Sequence, residues 1–440
     1  MTTQNLLLAG IGAGPFNLSL AALLEHATDK AIRFYDQKPT FNWHPHLMLP
    51  DAKLQTSWLK DLVTPVDPTN PMSFTNFLVK HGRFYSFINA EQSAISRKEF
   101  AQYLGWVANQ LKSVEYNSPI SSITYDGKQF QLQKGEQTIS AQHLCIGTGT
   151  KPFIPEFAIP HIGSNVFHAT EILAKPRDFS GKRVAIIGGG QTGAEVFLNT
   201  IQELWGRCNE VTWFSRRPNF EPLDETAFTN DYFTPGYVEH FLSLSKSRKA
   251  DRVAYQKLAS DGISPSTLTD IYQCIYQHTF VEGNANTQLL PGRDVTSIDA
   301  KDGGFNIVTR HNDLDTVNCV HADIIILCTG FSTGLPSCID PIAELIEKDA
   351  DGELVVEANY QLRWQHSDNN QIYIMNGSRH CHGIVDPQTS LMAWRSARIA
   401  NHLLNINKYP TTPAQLVSWQ EQLAPANPKS NNGPSLRAVV

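Results

Sequence analysis

The sequence lacks the signatures of several large protein classes. Its seven cysteines are an odd number and none stands in a Cys-x-x-Cys pair, which argues against a disulfide framework and against a dithiol redox site. No segment approaches the ~18 uninterrupted apolar residues of a membrane span. The first residues also lack the basic and apolar stretches of a secretory signal. We therefore expect a cytoplasmic protein without a membrane span.

A concentration of charge of one sign is also missing. The chain has 36 Lys and Arg against 42 Asp and Glu, a net charge of −6, and no long run of either sign. Because nucleic acids and anionic membranes attract concentrated basic patches, neither is expected as a partner. A chain of 440 residues exceeds what one hydrophobic core usually holds, so two or three domains are expected.

One short cluster could suggest a metal site. The stretch "RHCHG" (379–383) places His380, Cys381 and His382 side by side. Adjacent side chains in one loop cannot all point at one ion, and a structural site needs about four convergent ligands. No second cluster of metal-binding residue types accompanies it, so no metal is predicted.

A glycine-rich turn near the N-terminus predicts a dinucleotide site. The stretch "NLLLAGIGAGPFNLSLAALL" (5–24) has the pattern of a strand, a turn and a helix. Gly12 permits a tight turn, and Gly14, which has no Cβ, lets backbone N–H groups approach a pyrophosphate at the helix N-terminus. Pro15 begins the predicted helix, and Asn17 replaces the last glycine of the Gly-x-Gly-x-x-Gly pattern.

The second strand supports the same interpretation. The stretch "AIRFYDQKP" (31–39) ends in Asp36, close to the ~20 residues after the turn at which a carboxylate binds an adenosine ribose. The alternative is a structural glycine turn followed by a chance acid.

A second copy of the pattern occurs in "GKRVAIIGGGQTGAEVFLNTI" (181–201). Gly188, Gly190 and Gly193 stand in full Gly-x-Gly-x-x-Gly register, and Gln191 begins the helix. The next strand ends in a hydroxyl and two guanidinium groups: Ser215, Arg216 and Arg217. These groups suit a ribose 2′-phosphate, which a carboxylate would repel. We therefore predict FAD at the first turn and NADPH at the second.

The doubled pattern also predicts the fold class. We expect an α/β protein with two Rossmann-like dinucleotide-binding domains, the NADPH domain inserted in the FAD domain, and a small substrate-binding region. The predicted units are the first part of the FAD domain (1–175), the NADPH domain (176–330), the returning FAD and substrate domain (331–410) and a mobile C-terminal tail (411–440). A long irregular segment is expected at about 40–90.

The longer strings resemble one family, the flavin-dependent N-hydroxylating monooxygenases of hydroxamate siderophore biosynthesis, in their lysine and diamine branch. The similarity covers nearly the whole chain to about residue 405. It is carried by "GAGPFNLSLAAL" (12–23), "FNWHPHLMLPDAKLQTSWLKDLVTPVDPTNPMSFTNFL" (41–78), "GGGQTGAEVFLN" (188–199), "LDETAFTNDYFTP" (223–235), "CTGF" (328–331) and "HGIVDPQTSLMAWRSARI" (382–399).

The resemblance implies a reaction. NADPH reduces FAD, O2 adds to the reduced flavin as a C4a-hydroperoxide, and the neutral amine of the substrate attacks the distal oxygen to become a hydroxylamine. Because an alkylamine has a pKa near ~10.4, a pocket that desolvates it is needed to supply the neutral form. The resemblance also implies a homo-oligomer, either a dimer or a tetramer.

Two catalytic residues are implied in the irregular segment. Gln55 matches a glutamine beside the flavin, where it is expected to donate a hydrogen bond at the oxygen-activation site. Lys60 matches a lysine that reaches the substrate carboxylate, and with a diamine it could instead pair with Asp61. The alternatives are an ordinary loop amide and a solvated lysine.

Other residues are implied around the cofactors and the substrate. Trp43 and His44 match a flavin-proximal pair, although aromatic packing would also explain Trp43. Ser390 matches a serine in contact with substrate, or is only a hydroxyl at a helix start. Asn230 is expected near the nicotinamide. The end of the last strand of the NADPH domain supplies two more cofactor contacts, Thr329 and Gly330.

The amine itself stays open between lysine, putrescine and cadaverine. Ornithine is disfavoured because "SDGISPS" (260–266) lacks the family asparagine that helps hold the ornithine carboxylate. Lys60 favours lysine, whereas Asp261 could bind the far ammonium of a diamine or lie in a surface turn. The overall resemblance favours a short diamine. Rival interpretations are another class B flavin monooxygenase and a non-catalytic protein that binds NADPH and FAD.

Overall fold

The computed structural model describes residues 5–92 and 94–420. Of the tail predicted at 411–440, residues 421–440 lie outside the described part. Residues 411–420 of this predicted tail are described, and they contact the rest of the protein: the ring of Trp419 packs edge-on against Tyr237, with 4.8 Å between ring centroids.

The chain contains seventeen strands and twelve α-helices within the described ranges. Those before residue 153 are β1 (Asn5–Ile11), α1 (Pro15–Glu25), β2 (Ile32–Tyr35), α2 (Phe74–Lys80), α3 (Phe84–Asn89), α4 (Arg97–Gln110), β3 (Val114–Glu115), β4 (Ser122–Tyr125), β5 (Phe130–Lys134), β6 (Gln137–Ile146) and β7 (Lys151–Pro152). Those of the middle region are β8 (Val166–His168), β9 (Arg183–Ile187), α5 (Gln191–Ile201), β10 (Glu210–Phe214), α6 (Ala227–Asn230), α7 (Pro235–Ser243), α8 (Lys246–Tyr255), α9 (Lys257–Asp261), α10 (Pro265–Tyr276), β11 (Thr287–Leu290), β12 (Arg293–Lys301), β13 (Gly304–His311), β14 (Val317–Ala322) and β15 (Ile324–Leu327). The chain then returns through β16 (Phe331–Ser332), β17 (Ile372–Ile374), α11 (Arg379–His382) and α12 (Met392–Leu404).

The first sheet has seven strands in the order β3-β2-β1-β6-β5-β4, with β17 pairing beside β6. Strands β3, β2, β1, β6 and β17 run parallel, and β5 and β4 continue the sheet as an antiparallel edge. β1 is a nearly continuous apolar run because helices α1 and α12 cover one face and a second hydrophobic cluster covers the other. The pairing of β17 with β6 shows that the chain returns to this domain after the second one.

The second sheet is a five-stranded parallel sheet in the order β11-β10-β9-β15-β8. It confirms the predicted fold class of two Rossmann-like units, one inserted in the other. The predicted boundary at 175/176 differs from the structure because β8 pairs with β15 in the second sheet. The antiparallel pair of β7 and β16 joins the two units. An additional antiparallel sheet, β12-β13-β14, belongs to the second unit and was not predicted.

The segment predicted as irregular at about 40–90 is only partly so, since it contains α2 and α3. Asp61 organises its turn: the carboxylate accepts hydrogen bonds from the backbone N–H groups of Val63, Thr64 and Phe74 at 2.9, 2.7 and 2.6 Å. Trp58 packs against Phe74 and Phe87, with ring centroids 5.8 and 5.2 Å apart. Local hydrogen bonds and aromatic packing therefore replace regular secondary structure here.

No helix in the described ranges is both long and apolar enough to cross a membrane.

Candidate active site

The first glycine turn is closed by a backbone contact and by Asn17. Gly12 has a φ of +87°, and a Cβ there would lie 2.5 Å from the carbonyl oxygen of Gly147, so the turn requires glycine. Asn17 donates from Nδ2 to the Gly12 carbonyl at 2.7 Å, and its side chain is buried. Where the third glycine of the pattern is missing, Asn17 therefore supports the turn from the side of the protein interior.

The same turn is open on its outer side. Apart from its two chain neighbours, no described residue has an atom within 4 Å of a Cβ built on Gly14, which is the N-cap of α1, and Pro15 begins the helix. Asp36 accepts hydrogen bonds from the backbone N–H groups of Ala13 and Lys38 at 2.8 and 2.9 Å, which hold its carboxylate beside the turn. A free helix N-terminus next to a fixed carboxylate fits a pyrophosphate and a ribose.

The second turn repeats this construction. Gly188 has a φ of +137°, and a Cβ there would lie 2.1 Å from the carbonyl oxygen of Cys328. A Cβ on Gly193 would lie 2.0 Å from the Gly188 carbonyl oxygen, to which Trp213 donates from Nε1 at 2.9 Å. Gly190, in contrast, faces open space within the described part of the chain. The first and third glycines close the turn, and the second leaves room for a phosphate.

The residues that follow β10 have different environments. Ser215 is buried and its Oγ accepts from the Arg217 backbone N–H at 3.1 Å. Arg217 is half-buried and donates from Nη2 to the Asp261 carbonyl at 2.9 Å. Arg216 is exposed. Of the two guanidinium groups predicted to bind a 2′-phosphate, that of Arg216 is the more accessible.

A cavity of about 2380 Å³ lies beside the first turn. It exceeds the ~300–1,000 Å³ of an ordinary small-ligand pocket, as a dinucleotide site must. It brings together many of the predicted site residues: Gly12, Gly14, Pro15, Asp36, Trp43, His44, Asp261, Thr329 and Gly330. His44 borders the open cavity. Desolvation by the surrounding protein, and secondly the cations Arg97 and Lys38, lower its pKa to about 4, so the imidazole is neutral at pH 7.

Gln55 lies outside the lining of this cavity, at the boundary between the two units. Its Nε2 donates to Gln191 Oε1 at 3.3 Å and to Ser264 Oγ at 3.1 Å. Gln191 begins α5 directly after the second glycine turn, and Ser264 caps α10. The structure therefore joins Gln55 to the predicted NADPH turn.

Lys60 is half-buried, and burial lowers the pKa of its ammonium group. The suggested pairing of Lys60 with Asp61 is wrong, because the Asp61 carboxylate is occupied by N–H groups of its own turn and by the Thr64 hydroxyl at 2.8 Å. The Lys60 charge is thus left without a carboxylate partner in the described part of the chain.

Of the two remaining predicted substrate contacts, Asp261 and Ser390, and the predicted nicotinamide contact Asn230, only Asp261 lines the cavity. Asp261 is not in a surface turn: it ends α9, lines the cavity and lies 3.4 Å from Arg379 Nη2. Ser390 is buried, and its Oγ has no hydrogen-bond partner among the described residues. Asn230 is exposed and donates to the Glu225 carbonyl at 3.2 Å. A buried hydroxyl without a partner is the kind of group that a ligand satisfies.

The stretch "RHCHG" (379–383), for which no metal was predicted, forms α11 and its C-cap Gly383. His380 Nε2 bonds to the Leu354 carbonyl at 2.7 Å, whereas His382 is fully buried and stacks on Tyr360 with ring centroids 4.0 Å apart. The two imidazoles serve different environments, and no group of metal-ligating side chains converges anywhere in residues 5–92 and 94–420.

Sequence reasoning missed an ion pair between the two units. Arg97 on α4 donates two hydrogen bonds to Glu195 on α5, both at 2.8 Å. It also missed Arg379, which lines the cavity beside Asp261. Arg97 and Arg379 do not stand in a glycine motif, so only their spatial pairing with Glu195 and Asp261 reveals them.

The family model described as L-lysine 6-monooxygenase/L-ornithine 5-monooxygenase matches residues 4–333. The chain belongs to this family. The L-lysine N6-monooxygenase of Escherichia coli is 38% identical over 416 residues, which are 93% of this chain and 97% of the relative. A putrescine N-hydroxylase of Shewanella oneidensis is 31% identical over 412 residues, 92% of this chain and 82% of the relative. The recognition made from the sequence, and the enzyme class, are thus confirmed.

Solved structures of family members have the same fold. The cadaverine monooxygenase DfoA of Erwinia amylovora, bound to FAD, has a TM-score of 0.86 at 29% identity and covers 93% of this chain and 99% of its own. The ornithine N-hydroxylase KtzI of Kutzneria sp. 744, with reduced FAD, NADP+ and L-ornithine, has a TM-score of 0.84 at 26% identity and covers 91% and 99%.

The two turns of this chain fit these cofactors. Gly14 and Gly190 each leave open the space that a Cβ would fill, and each is the N-cap of a helix. Asp36 accompanies the first turn, and Arg216 accompanies the second. The predictions of FAD and NADPH are confirmed at the level of the family.

Proposed function

We propose that this enzyme uses NADPH, FAD and O2 to hydroxylate the side-chain amine of L-lysine, and that the N6-hydroxylamine serves hydroxamate siderophore biosynthesis. FAD, when bound, supplies the redox chemistry that activates oxygen. The protein has to bind the amine, lower its pKa by desolvation and exclude water from the site.

The environment of Lys60 is the observation that favours L-lysine as the substrate. A half-buried ammonium group whose pKa is lowered by burial alone is costly to keep charged. The α-carboxylate of L-lysine supplies the missing partner in a charge-assisted hydrogen bond. A diamine has no carboxylate, so it would leave Lys60 uncompensated and add a second cation. Lysine is therefore preferred here to the short diamine that the sequence favoured.

Other residues support the same proposal. Asp261, the candidate for binding a far ammonium, already has Arg379 at 3.4 Å and accepts from Ser260 Oγ at 3.0 Å. Its negative charge is partly neutralised before any substrate arrives. The sequence identities of the relatives also favour lysine: the lysine enzyme of Escherichia coli is 38% identical to this chain, whereas the putrescine enzymes of Acinetobacter baumannii and Shewanella oneidensis are 29% and 31% identical.

Roles for the other site residues follow. Gln55 is assigned to the flavin side, where it positions the reacting groups, and the buried Ser390 Oγ is assigned to the substrate. Trp58 and its aromatic neighbours close the back of the Gln55 and Lys60 segment against water. A homodimer or tetramer, and a cytoplasmic location, stay predictions.

Cadaverine, which is lysine without its carboxylate, tests the proposal. We expect the Lys60→Met variant to raise the KM for L-lysine about 100-fold and the KM for cadaverine less than about threefold, since the lost carboxylate pair is worth ~2–3 kcal/mol. Lys53→Met is the matched control, because Lys53 is exposed on the same segment. Equal effects of Lys60→Met on both amines would contradict the role of Lys60.

A second candidate is a diamine N-hydroxylase. Asp261 favours it, because this carboxylate lines the cavity. If cadaverine or putrescine has the higher kcat/KM in the unaltered enzyme, and Asp261→Asn removes that preference, this function replaces the first.

A further inference from the structure

The amide of Gln191 can point in only one direction. Its Nε2 lies 2.9 Å from Glu195 Oε1, and its Oε1 lies 2.7 Å from the backbone nitrogen of Ser264. An ionised carboxylate only accepts hydrogen bonds, and a backbone N–H only donates them. The reverse orientation would oppose donor to donor and acceptor to acceptor, so Glu195 and Ser264 together fix the Gln191 amide.

This orientation decides how Gln55 is presented. Because Gln191 offers its oxygen, Gln55 must turn its Nε2 toward it, at 3.3 Å, and the same nitrogen reaches Ser264 Oγ at 3.1 Å. The Oε1 of Gln55 remains as the free end of the side chain. Gln55 is thus presented as a hydrogen-bond acceptor, whereas the sequence suggested a donor.

Glu195 is itself firmly held. Two hydrogen bonds of 2.8 Å from Arg97 fix both of its oxygens, and its side chain is 7% exposed. Backbone hydrogen bonds of 3.0 and 2.9 Å tie residues 52–54 to residues 95–97, so Arg97 is anchored to the segment that carries Gln55. Gln55, Gln191, Glu195 and Arg97 therefore form a closed ring of contacts that crosses between the two units.

We propose that Glu195 is a positioning residue for Gln55. Through Gln191 it turns the Gln55 amide so that the oxygen, and not the nitrogen, is offered to cofactor and substrate. The inference rests on the proposed function, from which the role of Gln55 in the reaction is taken. It predicts that Glu195, on the first turns of α5, controls how tightly NADPH oxidation is coupled to hydroxylation.

The amide hydrogen of Ser264 reports on the ring without any turnover. In cofactor-free protein we expect Glu195→Leu to speed exchange of this hydrogen about fivefold, the worth of one net hydrogen bond. Gln191 loses its 2.9 Å hydrogen bond to Glu195 and keeps on Nε2 only the longer contact of 3.3 Å with the Thr267 hydroxyl, which can donate or accept and does not select one amide orientation. Glu195→Gln keeps an acceptor oxygen at this position and should leave exchange within about twofold. Asp323→Leu, which breaks the 2.6 Å pair of Arg183 and Asp323 in the same unit, is the matched control and should also leave it unchanged.

Two outcomes of the exchange experiment overturn the proposal. One is unchanged exchange at Ser264 in Glu195→Leu. The other is equal acceleration in Glu195→Gln and Glu195→Leu, which would show that the charge pair with Arg97 matters and the acceptor does not. If Glu195→Leu does not fold, Gln191→Leu replaces it in the coupling assay, because it leaves the Arg97–Glu195 pair intact.

Coupling is the second readout. We expect Glu195→Leu and Gln55→Ala each to lower hydroxylamine formed per NADPH oxidised by about tenfold, the upper end of what one net hydrogen bond is worth. The double variant should be no worse than Gln55→Ala, since both changes remove one function. Multiplied losses, or unaltered coupling in Glu195→Leu, contradict the proposal. Unaltered enzyme that yields only peroxide with every amine refutes the proposed function instead, and the Ser264 exchange still decides the role of Glu195.

Discussion

Two glycines of the second turn, close in sequence, should respond oppositely to the same substitution. A methyl group on Gly188 would lie 2.1 Å from the Cys328 carbonyl oxygen, and Gly188 has a φ of +137° that alanine rarely adopts. Gly190 has a φ of −105°, which alanine adopts freely, and among the described residues nothing lies within 4 Å of the added carbon. Gly188→Ala therefore strains the protein, whereas Gly190→Ala fills only the space reserved for the cofactor.

The size of each effect follows from these contacts. At Gly188, the unfavourable φ costs ~1–3 kcal/mol and the backbone collision adds ~1–3 kcal/mol. For a domain of this size that lowers Tm by roughly 5–15 °C. At Gly190 alanine costs nothing in the folded protein and reduces the entropy of the unfolded chain, so Tm is unchanged or rises slightly. The same methyl group blocks the approach of the pyrophosphate, and we expect at least a tenfold weaker NADPH affinity.

Thermal unfolding by circular dichroism and NADPH binding by fluorescence, each at constant FAD content, separate the two effects. The expected pattern is a lowered Tm for Gly188→Ala, and a normal Tm with weakened NADPH binding for Gly190→Ala. The reasoning is refuted if Gly190→Ala loses as much stability as Gly188→Ala, or if it binds NADPH as tightly as the unaltered enzyme.

Two further predictions concern buried polar groups. Asp61→Ala should lower the free energy of unfolding by about 2–4 kcal/mol, because the buried N–H groups of Val63 and Phe74 lose their acceptor; urea unfolding measures this, and a loss below ~1 kcal/mol would contradict the role of Asp61. Burial lowers the pKa of His382 from 6.5 to about 3, so the contribution of the neutral imidazole to stability is full above pH 6.5 and is lost as the pH falls toward 3. His382→Phe, which keeps the stack on Tyr360, should remove about 2 kcal/mol of the stability difference between pH 8 and pH 5, and an unchanged difference would show that other groups cause it.

The sequence predicts those parts of the site that depend on local backbone geometry. Gly12 and Gly188 are recognisable because each turn requires a glycine within its own strand-turn-helix unit. The Arg97–Glu195 pair is not recognisable in this way, since its partners lie 98 residues apart in different units. Adjacency in sequence suggests Asp61 as a partner of Lys60 for the case of a diamine substrate, but backbone N–H groups of its own turn satisfy the Asp61 carboxylate.

In the fold, too, elements that depend on a short sequence pattern are predicted, whereas those that depend on a distant segment of the chain are not. The apolar strand β9 follows from the short pattern before the second glycine turn. Ser96, with Glu99 three residues later, is a capping-box pattern that predicts the start of α4, and Ser96 Oγ accepts from the Glu99 N–H at 3.1 Å. The boundary before β8 could not be predicted, because β8 has only three residues and joins the second sheet through pairing with β15. Strand membership of so short a segment depends on its distant neighbour.

The proposed function is the hydroxylation of the terminal amine of L-lysine. The direct measurement is hydroxylamine formed per NADPH oxidised, with FAD and O2, for L-lysine, cadaverine, putrescine and L-ornithine in turn, with peroxide measured in parallel. We expect close to one hydroxylamine per NADPH with L-lysine and mostly peroxide with the other amines. Peroxide alone with every amine, or coupled turnover with a diamine and not with lysine, would contradict it.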